Sequence, residues 1–302
     1  MGNVNSPAHL QNQMDKIFET LSPYIDDLMW SNDSVDEVLK KFVFIMRKCV
    51  QFQIKMAYKK IDLFQQSIVV LGRLVDGDKI RLDDTTRDKI ANLKLPSKVT
   101  QLHSALGLIN WGRDNLIDLE SVPVTFISYL TKELTPMLKE GNKLNWTDER
   151  KRAFEKFKEL AIKDFPLCYF DPSRPVNIAT DASNKGCGGI AFHINPDGTK
   201  DIFAIHSMTF TNEQREGWTI NDKEAYAIFT ACRSFEQYLL GREFNLFTDH
   251  KNLLFLFKAT SPRVIRWRID LGRLICFSPQ VGFLQLLYED SYYKEFQHHH
   301  PI

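Results

Sequence analysis

Three acidic side chains offer the chemistry most open to reading in this sequence. Asp181 stands at the end of Val176-Asn177-Ile178-Ala179-Thr180, whose alternating apolar and polar residues predict a half-buried strand. Glu224 falls in the first turn of a predicted helix capped by Asn221 or Asp222, and Asp249 ends a second strand-like run, Phe244 to Thr248. One acid on each of three elements is how a cluster for hard divalent cations is assembled. Mg²⁺ or Mn²⁺ prefers oxygen ligands, and two such ions about 3.5–4 Å apart can stabilise both the attacking and the leaving oxygen of a phosphodiester. Acids at these positions also serve as helix caps or solvated surface groups, so the surrounding residues must decide.

The elements around the acids are equally legible. Ser183-Asn184-Lys185-Gly186 carries turn chemistry, and Gly186, Gly188 and Gly189 are expected to let the backbone lie close to a bulky ligand before the chain returns through Ile190 to Ile194. Pro196-Asp197-Gly198-Thr199 predicts a hairpin turn between strands Gly189 to Ile194 and Ile202 to Phe210. A helix is expected over Asp222 to Leu240, with Ala225, Ile228, Phe229, Cys232, Phe235 and Leu239 facing a core and Gly241 as its stop. Upstream, Thr147 reads as the cap of a helix that buries Ala153, Phe154, Phe157, Leu160 and Ala161. Pro96-Ser97 reads as another helix start, with Ser97 as cap and Val99, Leu102, Leu106 and Ile109 at helical spacing.

Composition narrows the class. With 43% hydrophobic and 25% charged residues, the 302-residue chain suits a globular protein of about two domains. Its 39 Lys and Arg nearly balance 38 Asp and Glu, so any nucleic-acid surface must arise from local clustering. Lys59, Lys60, Arg73 and Lys79, and Arg263, Arg266, Arg268 and Arg273, are candidates for phosphate contacts or for plain solvation. Cys49, Cys168, Cys187, Cys232 and Cys276 form no metal-binding spacing, which predicts reduced thiols in the cytoplasm or nucleus. No apolar run is long enough for a membrane span, and no membrane partner is expected.

The first part of the chain holds a second acidic motif. A helix with Met14, Ile17, Phe18 and Leu21 on one face precedes Tyr24-Ile25-Asp26-Asp27, whose adjacent carboxylates in a hairpin turn would present acid to a metal. Only Leu21-Ser22-Pro23 separates helix from motif, and proline cannot donate to a central ladder, so the first hairpin strand is shortened. An amphipathic helix follows over Asp33 to Met56, then a strand over Phe64 to Leu74.

TDAS (Thr180 to Ser183), KEAYAI (Lys223 to Ile228), YLLGREF (Tyr238 to Phe244) and TDHKNLLFLF (Thr248 to Phe257) together resemble the ribonuclease H domain of retroelement polyproteins, gypsy-type long-terminal-repeat retrotransposons above all. The resemblance spans Leu95 to Phe277. It implies a mixed five-stranded sheet with flanking helices that cuts the RNA strand of an RNA–DNA hybrid, with Asp181, Glu224 and Asp249 as three of four carboxylates holding Mg²⁺ or Mn²⁺. Tyr24-Ile25-Asp26-Asp27, with Asn5-Ser6-Pro7-Ala8 and Gln11, is similar to the reverse-transcriptase palm; this implies a polymerase motif of Tyr24, Asp26 and Asp27, the two acids as metal ligands, and a primer–template partner. Val69-Val70-Leu71-Gly72 followed by Gly77-Asp78-Lys79-Ile80 is similar to the family's hairpin between palm and thumb. LHSALGLINWGR (Leu102 to Arg113) resembles the family helix in which a glycine packs closely and an aromatic and an arginine face the duplex, here Gly107, Trp111 and Arg113; Trp111 on its own reads as core.

The implied fold is mixed α/β: a palm remnant over 1–80, a helical thumb over 81–133, a connection over 134–175, a ribonuclease H-like domain over 176–277 and a divergent tail over 278–302, the whole a truncated pol-type protein, either part of a longer polyprotein or a separate host gene. The tail departs from the family phrase resembling ADALSR that carries the fourth carboxylate, and Glu289 and Asp290 are the acids nearest that place. A catalytically degenerate host-encoded remnant that binds nucleic acid or a protein partner is the alternative, as is a product that does not fold stably. The family polymerase needs a further carboxylate and a fingers region upstream of where this chain starts. No independent polymerase activity is therefore expected: the purified chain should add no nucleotide to a primed template, and measurable incorporation would contradict this.

Overall fold

The computed structural model describes residues 5–19, 21, 23–32, 34–116, 126–139, 144–163, 165–248, 261–272 and 284–287. They fall into two compact units that divide between Gln66 and Ser67.

In the first unit, α1 (Ser6–Ile17) and α2 (Val35–Gln51) share a small core of Met14, Phe18, Ile45 and Cys49, with Leu21, Leu28 and Trp30 packed against it. The second helix is shorter than its apolar pattern predicts. Gln53 adopts a left-handed φ of 55°, and the Ile54 N–H donates to the Cys49 carbonyl at 2.8 Å, a C-terminal cap that turns the chain out of the helix. Tyr24 and Asp27 pair through reciprocal backbone hydrogen bonds of 2.9 Å, so Ile25 and Asp26 form the predicted turn. Ile25 sits at φ 53°, a strained conformation for a β-branched residue. Gln11 explains how it is held: its Oε1 accepts from Ile25 N at 2.7 Å, and its Nε2 donates to Pro23 O at 2.8 Å.

The second unit contains two sheets. In the smaller, β1 (Ser67–Val70), β2 (Arg73–Asp76), β3 (Lys79–Leu82) and β4 (Leu167–Cys168) pair antiparallel in chain order. The single strand predicted over Phe64 to Leu74 is thus a hairpin: Leu71 and Gly72 both take positive φ (50° and 74°), the turn whose twist matches that of paired strands. Around this sheet, α3 (Asp84–Ala91), α4 (Val99–Trp111), α5 (Phe126–Leu134) and α6 (Asp148–Lys163) build one core from Leu82, Ile90, Leu102, Leu106, Ile109, Phe154, Phe157 and Leu160. The buried face of α6 is the one its sequence predicts, and Thr147 Oγ1 accepts from Arg150 N at its start. For α4 the N-cap is Lys98 rather than Ser97, because the Gln101 side chain reaches back to accept from the N–H groups of both Ser97 and Lys98.

The larger sheet comprises β5 (Val176–Ala182), β6 (Gly186–Ile194), β7 (Lys200–Thr209), β8 (Phe244–Phe247) and β9 (Leu284–Leu287), in the order β7-β6-β5-β8-β9. Pairing is antiparallel from β7 to β5 and parallel from β5 to β9. The fifth strand comes from the segment read as a divergent tail. After β7 follow α7 (Asn212–Gly217), α8 (Ile220–Ser234), α9 (Glu236–Leu239) and, beyond β8, α10 (Pro262–Leu271). Ala225, Ile228, Ala231 and Cys232 of α8 and Val264, Trp267 and Leu271 of α10 meet Val176, Ile178, Ala191, Phe244 and Leu246 of the sheet in one core.

Two glycines expected to make room for a ligand make room for the protein itself. A Cβ on Gly189 would lie 2.9 Å from the Ala231 Cβ of α8, and one on Gly186 would lie 2.2 Å from the Met208 carbonyl of β7. Gly107, expected to pack closely, faces open space. Gly186→Ala should therefore strain the β6–β7 ladder at a backbone atom that cannot swing aside and destabilise the domain by about 1–3 kcal/mol, read as a lower urea midpoint, whereas Gly107→Ala should leave the midpoint level or raise it.

Candidate active site

Asp181 and Glu224 arrive from different elements. Asp181 pairs with Gly188 near the end of β5 and is exposed, while Thr180 before it is buried beside Gly189 under α8. Glu224 is only 5% exposed. It lies in the second turn of α8 rather than the first, because the helix begins earlier than expected. Thr219 is the N-cap: its Oγ1 accepts from Asp222 N at 3.1 Å, and Asp222 Oδ2 accepts from Thr219 N at 3.1 Å, a reciprocal capping box. Asp222 also faces Arg263 of α10 at 3.7 Å, and that guanidinium lies 4.8 Å from the centre of the Trp218 ring. Asp249 lies outside the described residues, as do His250, Arg273, Glu289 and Asp290.

The fields of Asp181 and Glu224 converge on Cys187. This thiol, buried in β6 beside Thr230, is pushed up to about 12 chiefly by burial, and the charges of Glu224 and Asp181 both add to the rise. Both carboxylates are therefore within electrostatic reach of one buried atom, although the register separates their strand and helix. Among the described residues no group of three His, Cys, Asp or Glu is arranged to hold a metal ion. The described part of the cluster is thus a pair of hard oxygen donors of like charge, one buried and one open to solvent.

Several other expected nucleic-acid contacts are structural. Arg113 is half-buried and its guanidinium donates to Ser128 Oγ and, at 2.7 Å, to the Ser207 carbonyl of β7; desolvation lowers its pKa. Its donors are thus engaged with α5 and β7. Arg73 donates to Asn115 Oδ1 at 2.6 Å and to the Trp111 carbonyl at 3.0 Å, and lies against the Trp111 ring. Trp111, read as core, is 47% exposed. In the first unit Tyr24, Asp26 and Asp27 are all exposed on their turn. The described cysteines Cys49, Cys168, Cys187 and Cys232 are free thiols, and no described helix is long and apolar enough to cross a membrane.

Sequence reasoning also missed Lys223, His206 and Ser207. Lys223 was read only as part of a motif, yet it is a buried ammonium with two defined acceptors. Ser207 and Ser128 share a hydrogen bond of 2.8 Å that joins α5 to β7, a tertiary contact with no local signal.

A family model for the RNase H-like domain found in reverse transcriptase matches residues 171–274. That stretch belongs to this domain family. Beyond it, the chain is 28% identical to the retrovirus-related Pol polyprotein from transposon 412 of Drosophila melanogaster over 273 residues, which is 88% of this chain and 21% of that protein. It is 24% identical to the corresponding polyprotein from transposon gypsy of the same fly, and 24% identical to the transposon Tf2-3 polyprotein of Schizosaccharomyces pombe. The chain spans roughly a quarter or less of these relatives' length. Its fold is similar to that of the foamy viral protease–reverse transcriptase in complex with dsDNA, with a TM-score of 0.77 at 23% identity over 96% of this chain and 60% of that one. The same viral protein in complex with an RNA/DNA hybrid gives a TM-score of 0.75 at 23% identity, over 96% of this chain and 39% of that one.

In the RNase H-like domain, His206 has a buried Nε2 without a hydrogen-bond partner, and burial, with the positive charge of Arg113, lowers its pKa from 6.5 to about 4. The folded domain keeps it neutral where the unfolded chain would protonate it. Its contribution to stability is complete above pH 6.5 and is lost as pH falls toward 4. Replacing it by an apolar side chain, His206→Leu, should make urea midpoints fall less steeply between pH 6.5 and pH 4.5 than in the wild type; parallel profiles would refute the assignment.

Proposed function

We propose that the RNase H-like domain hydrolyses the RNA strand of RNA–DNA hybrids with divalent cations held by Asp181, Glu224 and Asp249. The observation that carries this reading is the placement of Asp181 near the end of β5 and Glu224 in α8, the helix packed on that sheet, with the Cys187 thiol near enough to feel both charges. Two carboxylates brought to one ion repel each other, and a shared cation offsets that repulsion. The third ligand rests on the sequence: Asp249 follows β8, which pairs in parallel with β5, by two residues and lies outside the described residues.

The donor set is all carboxylate oxygen, which fits Mg²⁺ or Mn²⁺ and not a softer metal. Such cations, when bound, supply an activated water and neutralise charge on the leaving oxygen of the phosphodiester. Glu224, anchored in a helix whose first turn is fixed by Thr219 and Asp222, gives the site its rigid side. Asp181, exposed at the strand end, is the carboxylate an incoming phosphate strand would meet. The Pol polyprotein relatives and the hybrid bound by the structurally similar viral enzyme support the substrate class.

We further read the first unit as the end of a polymerase palm whose Tyr24, Asp26 and Asp27 turn could serve a primer–template only within a longer polyprotein. The domain limits inferred from sequence, with palm, thumb and connection preceding the nuclease, are part of the same proposal. The test is cleavage of a labelled RNA–DNA hybrid in Mg²⁺ or Mn²⁺. Asp181→Asn should lower the rate by about 100-fold or more with the melting temperature little changed, and chelation should abolish cleavage. An intact hybrid after incubation with folded wild-type protein would overturn the nuclease reading.

A further inference from the structure

The described residues on either side of the two carboxylates are linked by one buried cation. Lys223, immediately before Glu224, is only 5% exposed. Its Nζ donates to Asn184 Oδ1 at 3.2 Å and to the Arg215 carbonyl near the end of α7 at 3.0 Å. Among the described residues it makes no ion pair. A buried ammonium held by neutral acceptors is costly unless its position does something for the fold or the site.

What it joins is specific. Asn184 is in the β5–β6 hairpin loop, three residues beyond Asp181. That loop is itself closed by Ser183, whose N–H donates to the Gly186 carbonyl at 2.8 Å and whose Oγ accepts from the N–H groups of Lys185 and Gly186 at 3.2 Å each. The hairpin is therefore stiff, and anything that fixes Asn184 also fixes the end of β5. On the other side, Lys223 shares a helical turn with Glu224, and its second bond ties that turn to α7.

We infer that Lys223 is a positioning residue: through Asn184 it locks the strand end bearing Asp181 to the helical turn bearing Glu224, so that the two carboxylates are held at the separation a divalent cation requires. This rests on the reading of those acids as metal ligands. Lys223 touches no substrate and acts only by geometry. Its charge alone would repel a cation, so the brace and the charge have opposite effects on metal affinity and can be separated.

The separation comes from a double-mutant cycle in Mn²⁺ affinity, measured on the full chain by loss of the free-Mn²⁺ electron paramagnetic resonance signal. Asn184→Ala keeps the charge and removes the brace; Lys223→Met removes both. Asn184→Ala should weaken Mn²⁺ binding by roughly three- to tenfold when Lys223 is present and should have no effect in the Lys223→Met background, since the charge contribution cancels across the cycle. Equal effects of Asn184→Ala in both backgrounds, or none in either, would overturn the inference. Circular dichroism melting of each variant identifies any that fails to fold; if Lys223→Met is one, Lys223→Gln completes the cycle. Wild-type protein that binds Mn²⁺ without cutting hybrid would refute the nuclease reading and leave the brace standing. Wild-type protein that binds no Mn²⁺ would overturn both.

Discussion

The close approach of α8 to the sheet is the constraint on which the candidate site depends. The helix can lie where it does because Gly189 offers no side chain to Ala231, and because Ile178, Ala191, Phe244 and Leu246 present an apolar surface to Ala225, Ile228 and Cys232. An additional methyl at Gly189 would have to push the helix away from β6, and Glu224 would move with it. The depth of Glu224 is thus decided less by its own chemistry than by a missing Cβ one strand over. Packing sets the buried carboxylate, and the β5–β6 hairpin sets the exposed one.

The first unit applies a related economy to its own motif. Its hairpin is too short to be held by a ladder, since Pro23 precedes Tyr24 and, among the described residues, one pair of backbone hydrogen bonds closes the turn. The deficit is met by a side chain from α1. Gln11 supplies both an acceptor to Ile25 and a donor to Pro23, so the strained left-handed isoleucine is held from both sides. Residues 5–8 and 11 resemble a family segment beside this motif, and the amide contacts give a physical reason for the two to occur together.

How much of this was legible depends on the range of the interaction. The α6 face and the hairpin turn at Gly198 were readable because period and turn chemistry are local; the strand before Asp181 was readable as a strand but not as half-buried, since Asn177 and Thr180 are covered along with its apolar residues. The start of α8 was misread although its signal was present: Thr219 and Asp222 form a T-x-x-D box, but Asn221 and Asp222 are themselves acceptable caps and lie nearer the apolar run. At Leu71-Gly72 the residues alone read as a continuous strand, since leucine seldom accepts a positive φ, and only the resemblance of this stretch to the family's palm–thumb hairpin pointed to a turn. Arg113, Ser128 and Ser207 were unreadable for a different reason. Their partners lie far along the chain, and nothing near an arginine in sequence distinguishes one that binds phosphate from one that binds a carbonyl.

Those same three residues govern what the larger sheet can join. On the outer side of β7 the Ser207 carbonyl is already an acceptor for both Arg113 and Ser128, and the Phe210 carbonyl just past the strand is taken by Lys132 Nζ at 2.8 Å. A stray extended segment seeking to zip onto this border would find its acceptors occupied by long or hydroxylated side chains that cannot be propagated as a ladder. At these two acceptors the border is guarded against strand addition.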